Sequence, residues 1–271
     1  RKGPMRQSVH SVWWREVSVS AVVAGFVAVL VGYTSSVAIV FQAAQALGAT
    51  AAQTASWMWA LGLAMGISCI VLSLRYRQPV LTAWCTPGAA LIAATHGLGL
   101  AEATGAFIVC ALLIILAGAT GLFERVMDKL PQAVAAALLA GVLCRFGLDA
   151  VLSVRTAPTL VLVMVAAFLA GRRWWPRYAV PAVLLAGMAV AAGQGRLALG
   201  AVDWSWAHPV FVWPQFSVAS VVGVALPLFI VTMASQNLPG VAAQRAAGFN
   251  IPVSPVITAT GVVTLLLAPF G

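Results

Sequence analysis

The sequence predicts an all-α polytopic membrane protein whose third span is broken by a short extended segment. Three observations predict it. Hydrophobic residues make up 62% of the 271 and charged ones 8%, with a mean hydropathy of +1.00, a balance that a soluble core under a water-facing shell does not reach. Long uncharged runs, such as Val17 to Leu74, alternate with short charged or Gly/Pro-rich breaks. Finally, the stretch QPVLTAWCTPGAALI, Gln78 to Ile92, places two prolines, a glycine and small polar groups where a membrane helix should continue.

A spanning helix needs roughly 20 apolar residues. In order, the runs predict nine crossings: Ser18–Ala43, Thr54–Leu74, the unusual Pro79–His96, Ala101–Phe123, Leu130–Leu148, the shorter Ala157–Leu169 and Val180–Gly193, then Phe216–Val241 and Pro255–Phe270. Arg1, Lys2, Arg6 and Arg15 precede a first run too long for a signal-peptide core, which is therefore expected to be a retained span. With a cytoplasmic N-terminus, alternate loops carry Arg75 and Arg77, Arg125 and Lys129, Arg172, Arg173 and Arg177, then Arg245. The opposite loops hold only Arg145, Arg155 and Arg196, so the positive-inside rule favours this orientation. Trp174, Trp175, Trp204, Trp206 and Trp213 fit interfacial belts.

The net charge of +9 is scattered in ones, twos and threes, with no patch suited to nucleic acid. Cys69, Cys85, Cys110 and Cys144 are dispersed in apolar contexts without paired spacing, which predicts buried packing residues and no zinc site or disulfide. The longest polar break, Arg196–Gln215, divides two halves, and AAQALG (Ala43–Gly48) is echoed by AAQRAAG (Ala242–Gly248). Seven crossings separate the echoes, an odd number, so the second copy would enter from the opposite side, as in inverted repeats.

In the third span, Pro79 to Cys85 reads as extended and Thr86 as an N-cap with Pro87 at the first helical position. About seven extended residues at ~3.3 Å and eleven helical ones at ~1.5 Å suffice for a ~30 Å hydrocarbon layer, placing a helix start near mid-depth. Unpaired backbone survives there only under protein or beside a water-filled cavity, and a helix start attracts anions. The expected role is a binding site for something anionic or strongly polar. A second polar knot, Ser235, Gln236 and Asn237, lies in the eighth span, and Tyr33, Thr34, Ser35, Ser36 and Gln42 lie in the first; such groups need partners or a ligand.

Three segments, GYTSSVAIVFQAAQALGAT (Gly32–Thr50), LSLRYRQPVLTAWCTPGAALIA (Leu72–Ala93) and LPLFIVTMASQNLPGVA (Leu226–Ala242), resemble the bacterial benzoate:proton symporters (BenE-type). Cys85 stands where the family is expected to have serine. The resemblance implies the fold shared with uracil and anion transporters, two inverted seven-span repeats with core and gate domains. Residues 1–129 would be the first core, 130–195 the first gate, 196–215 the extracytoplasmic connection and 216–271 the first two spans of the second core. The family would begin a tenth span where this sequence stops, at Ala268-Pro269-Phe270-Gly271, so the sequence is expected to be a fragment.

Binding roles carried over are those of Trp84, Cys85, Thr86, Pro87 and Gly88, of Ser235, Gln236 and Asn237, and of Tyr33, Ser35 and Ser36. The implied function is import of benzoate or a related aromatic carboxylate with protons across the bacterial inner membrane. Alternatives are a passive anion or aromatic-acid channel on the same scaffold, or a carrier of another organic anion or nucleobase-like compound. The implied partners are the aromatic acid, protons and membrane lipid, with a homodimer compatible and no nucleic acid. No catalytic constellation, metal set or cofactor is indicated. Glu102 and Asp149 sit near predicted span ends, Glu124 and Asp128 in a cytoplasmic loop, and His96 closes the half-helix, so the proton carrier is unassigned; the proton can instead ride on the substrate as benzoic acid or use a residue outside this sequence.

Overall fold

The structure, a computed structural model, describes residues 19–95, 97–128, 144, 148, 150–196 and 206–271. The expected fifth span lies outside these residues apart from Cys144 and Leu148, as do His96, Lys129, Asp149, Trp204 and the N-terminal basic residues. The chain forms two compact units, one from 1–35 and 146–203, the other from 36–145 and 204–271.

Among the described residues the regular structure is helical. The described helices are α1 (Val19–Ala46), α2 (Ala51–Tyr76), α3 (Thr86–Ala93), α4 (Leu100–Ala119), α5 (Leu122–Asp128), α6 (Pro158–Trp174), α7 (Ala179–Gly193), α8 (Val218–Ala246) and α9 (Val253–Leu267). A 3₁₀ turn, Ala268–Phe270, extends α9. Four are long and apolar enough to cross a membrane: α2, α4, α8, and α9 with its extension. In the first unit α6 and α7 form a hairpin around Pro176, closely packed where a Cβ on Gly171 would lie 2.8 Å from Ala179 Cα.

The expected fourth span, to Phe123, breaks early. α4 ends at Ala119, Gly121 takes φ +66°, and α5 restarts at Leu122, because only glycine enters that left-handed turn at no cost. The corner is held by Glu124, whose carboxylate accepts from the Ser254 hydroxyl at the start of α9. α4 and α9 pack through small residues. A Cβ on Gly118 would lie 2.7 Å from Thr258 N and one on Gly261 2.8 Å from Ile115 Cγ1, the close backbone approach that holds membrane helices together.

The echoed segments end α1 and α8 in the same way. Leu47, Gly48 and Ala49 N–H donate to Ala43, Gln45 and Ala44, and Ala247, Gly248 and Phe249 N–H donate to Ala243, Arg245 and Gln244. The two sets of bonds are offset by 200 positions, and Gly48 (φ +71°) and Gly248 (φ +84°) supply the left-handed residue of each.

Helix α8 contains two π turns, Val221–Ala225 and Thr232–Asn237. Leu226 N–H reaches back five residues to Val221 and Leu238 N–H five to Met233. Each is followed at once by Leu-Pro. A proline ring clashes with the carbonyl four residues back, here Gly223 and Ser235, and both lie within the widened turns that relieve the clash.

Candidate functional site

Between α2 and α3 the chain runs extended over residues 79–85, as expected, and its side chains alternate: Val80 is 5% exposed and Leu81 66%. With no neighbouring strand, side chains satisfy this backbone. Ser73 on α2 takes both polar groups of Val80, accepting from its N–H at 3.0 Å and donating to its carbonyl at 3.1 Å. Thr82 N–H donates to Cys69 Sγ at 3.1 Å, and Thr82 Oγ1 lies 2.5 Å from Ser68 Oγ, which donates to Ala64 C=O at 2.6 Å. From the other side, Gln236 Nε2 donates to Trp84 C=O at 3.3 Å and Gln244 Nε2 to Pro79 C=O at 2.6 Å. These bonds satisfy backbone groups that neither a helix nor a strand serves.

The cap of α3 differs from expectation by one residue. Cys85, not Thr86, is the N-cap, because its carbonyl already accepts from Ala89 N–H at 2.9 Å; its thiol accepts from Gly88 N–H at 3.3 Å, and Thr86 and Pro87 are the first two helical residues. Sulfur is a weak acceptor, so this amide is lightly held. The expectation that all four cysteines are buried packing residues also fails. Cys110 is buried, Cys69 and Cys85 are half-buried hydrogen-bonding groups, and Cys144 is exposed.

A cavity of about 420 Å³ opens beside the extended segment. Trp84, Cys85 and Gly88 line it from one side, Gln236, Asn237 and Gln244 of α8 from another, and Thr260 and Thr264 of α9 from a third. Trp57 and Phe107, with ring centroids 5.8 Å apart, supply an aromatic wall. A Cβ on Gly88 would lie 2.6 Å from Leu228 Cδ1, so a larger residue there displaces that leucine's tip. Asn237 Nδ2 donates only weakly, to Met233 Sδ at 3.4 Å.

The predicted residues thus divide. Trp84, Cys85, Gly88, Gln236 and Asn237 meet on the cavity wall, and Ser36 is buried behind it, accepting from Trp84 Nε1 at 2.8 Å. Thr86 and Pro87 flank the helix start without lining the cavity, Ser235 is exposed on α8, Tyr33 belongs to the other unit, and the Ser35 side chain lies outside the described residues. Ser68, Ser73 and Gln244 were missed. Their signal was small polar groups in the last half of an apolar helix beside a segment read as extended, and a glutamine two turns beyond the polar knot.

The family described as BenE, benzoate membrane transport protein, matches residues 15–271. The chain is 52% identical over 249 residues, 92% of its length, to the inner membrane protein YdcO of Escherichia coli (strain K12). It is 38% identical over 255 residues, 94% of its length, to the benzoate membrane transport protein of Acinetobacter baylyi. The chain spans 64% and 65% of those two proteins' lengths. No solved structure matches it significantly. With a family match over nearly its whole length, the chain belongs to the BenE benzoate membrane transport family.

Proposed function

We propose that this chain supplies the larger part of a secondary transporter that imports benzoate or a related aromatic carboxylate together with protons. The observation that carries the reading is the meeting of the extended third span with the π turn of α8, at Trp84 and Gln236, on the wall of an aromatic and polar cavity. The ring of the acid lies against the apolar wall that includes Trp57 and Phe107, and its carboxyl group meets the polar wall, to which Gln236, Asn237, Gln244 and the lightly held amide of Gly88 contribute.

The same reading places the N-terminus in the cytoplasm and the first and eighth spans in corresponding positions of two inverted repeats, supported by the matching ends of α1 and α8. Residues 1–129 and 216–271 then contribute to a core and 130–195 to a gate, and alternating exposure of the cavity drives import.

Full-length protein in liposomes should accumulate labelled benzoate, saturably, when the outside is made acidic. Uptake that saturates but ignores collapse of the proton gradient overturns the coupling. Unitary currents without accumulation identify a channel, and absence of any aromatic-acid uptake overturns the substrate.

A further inference from the structure

Gln244 lines the cavity eight residues beyond Gln236, about 12 Å along α8. Its orientation is fixed by chemistry. Nε2 donates to the Pro79 carbonyl at 2.6 Å, and a carbonyl only accepts, so the opposite flip would bring two oxygens together. That leaves Gln244 Oε1, a buried oxygen with no hydrogen-bond partner among the described residues. A buried acceptor in this condition is open to a donor, from water or from a ligand; Gln78 Oε1 shares the condition, but of the two only Gln244 lines the cavity.

A carboxylate cannot be that donor, because it only accepts. A carboxylic acid can, through its O–H, while its C=O accepts the second hydrogen of Nε2. The rest of the wall agrees. The described lining residues include no Lys, Arg, His, Asp or Glu, so none of them offers an anion a countercharge, whereas a neutral acid needs none. Resting on the transporter reading above, we propose that the cavity takes its aromatic acid in the protonated form, with the carboxylic O–H donating to Gln244 Oε1, so that the proton travels on the substrate. Carboxylate and proton combine on the entry side, the neutral acid passes Gln244, and the same O–H ionises on the far side. One proton moves per acid, no net charge crosses, and no protein group changes protonation.

The described ionisable groups on the elements that line the cavity are the thiols of Cys69, Cys85 and Cys110, the phenols of Tyr33 and Tyr76, Glu102 in the first turn of α4, and the exposed Arg75, Arg77 and Arg245; of these, Cys85 and Cys110 reach its wall. Benzamide does not ionise, so its binding reports any titration of the protein, and the benzoate slope in excess of it belongs to the ligand.

Binding to the full-length protein in lipid nanodiscs, measured calorimetrically from about pH 5 to about pH 8, tests this. Apparent affinity for benzoate should fall about tenfold per pH unit, following the protonated fraction of the acid. Benzamide, a neutral donor of similar shape, should bind with no pH dependence, and benzenesulfonate, permanently anionic, should not compete. Gln244→Met should weaken benzoate binding on the order of tenfold, while Gln78→Met, which removes the neighbouring bond to Asn250 C=O, should leave affinity and pH slope unchanged. A flat benzoate profile, competition by benzenesulfonate, or unaltered affinity in Gln244→Met overturns the proposal. The ligand series needs no variant and decides the matter if Gln244→Met fails to fold. Absence of binding by both benzoate and benzamide at every pH overturns instead the substrate reading on which the proposal rests.

Discussion

The indole N–H of Trp84 donates to the hydroxyl oxygen of Ser36 at 2.8 Å, tying the extended segment to α1 from within the cavity wall. The Trp84 carbonyl is held in turn by Gln236, which lies 200 positions from Ser36, the offset that relates the ends of α1 and α8. Trp84 is thus fixed at both its side chain and its backbone.

Trp84→Phe keeps an aromatic ring and removes the donor, leaving the buried Ser36 less well satisfied. It should lower stability by about 1 kcal/mol and raise KM for benzoate several-fold with little change in maximal uptake. Thermal unfolding in detergent and initial-rate uptake check both, and an unchanged KM removes Trp84 from substrate positioning.

Ser73 alone satisfies both the N–H and the C=O of Val80, which is buried. Ser73→Ala leaves two polar groups unmatched at once and should cost about 2–4 kcal/mol, whereas Ser73→Thr, which keeps the hydroxyl, should cost far less. Hydrogen exchange at residues 80–83 should accelerate in the alanine variant only. Equal protection in both would show that water replaces the serine there.

Gly118 and Gly66 form a matched pair for testing helix packing. A Cβ at Gly118 meets the backbone of Thr258, but one at Gly66 meets nothing within 4 Å. Gly118→Ala should therefore destabilise by roughly 1–3 kcal/mol and loosen α4 from α9, while Gly66→Ala should be neutral or slightly stabilising. Thermal melts of the two variants side by side read the difference.

The all-helical character and several described helices were legible because they follow from length and hydropathy. The ends of α2, α7 and α9 fall within three residues of the expected spans, and the extended 79–85 segment followed from proline, β-prone residues and a capping sequence. The features that were not legible depend on side-chain pairing over long separations. Cys85 took the cap from Thr86 because the carbonyl that receives the first helical bond is set by how the extended segment sits on α2, not by local capping preference. Ser235 and Gln236 are adjacent in sequence but part company, one exposed and one on the cavity, because a helical step of about 100° separates neighbours. The corner at Gly121 was hidden inside an unbroken apolar run, where only a contact with Ser254 reveals the turn.

The π turn at Thr232–Asn237 has a stated cause, and removing the cause tests its role. Pro239 lacks an N–H and its ring would strike the Ser235 carbonyl in a regular helix, so α8 widens there and carries Gln236 toward Trp84. Pro239→Ala restores the donor and allows the turn to tighten into ordinary α geometry. The helix itself should gain stability, since proline in a helix interior costs ~3 kcal/mol, but tightening by one residue rotates the N-terminal part of α8 by about 100° relative to its C-terminal part. Gln236 and Gln244 could then no longer reach Trp84 and Pro79 together, although both now do so from one helix. The variant should melt at or above the parent temperature and yet bind benzoate at least tenfold more weakly. A stable variant that binds as well as the parent would show that the bulge only accommodates proline.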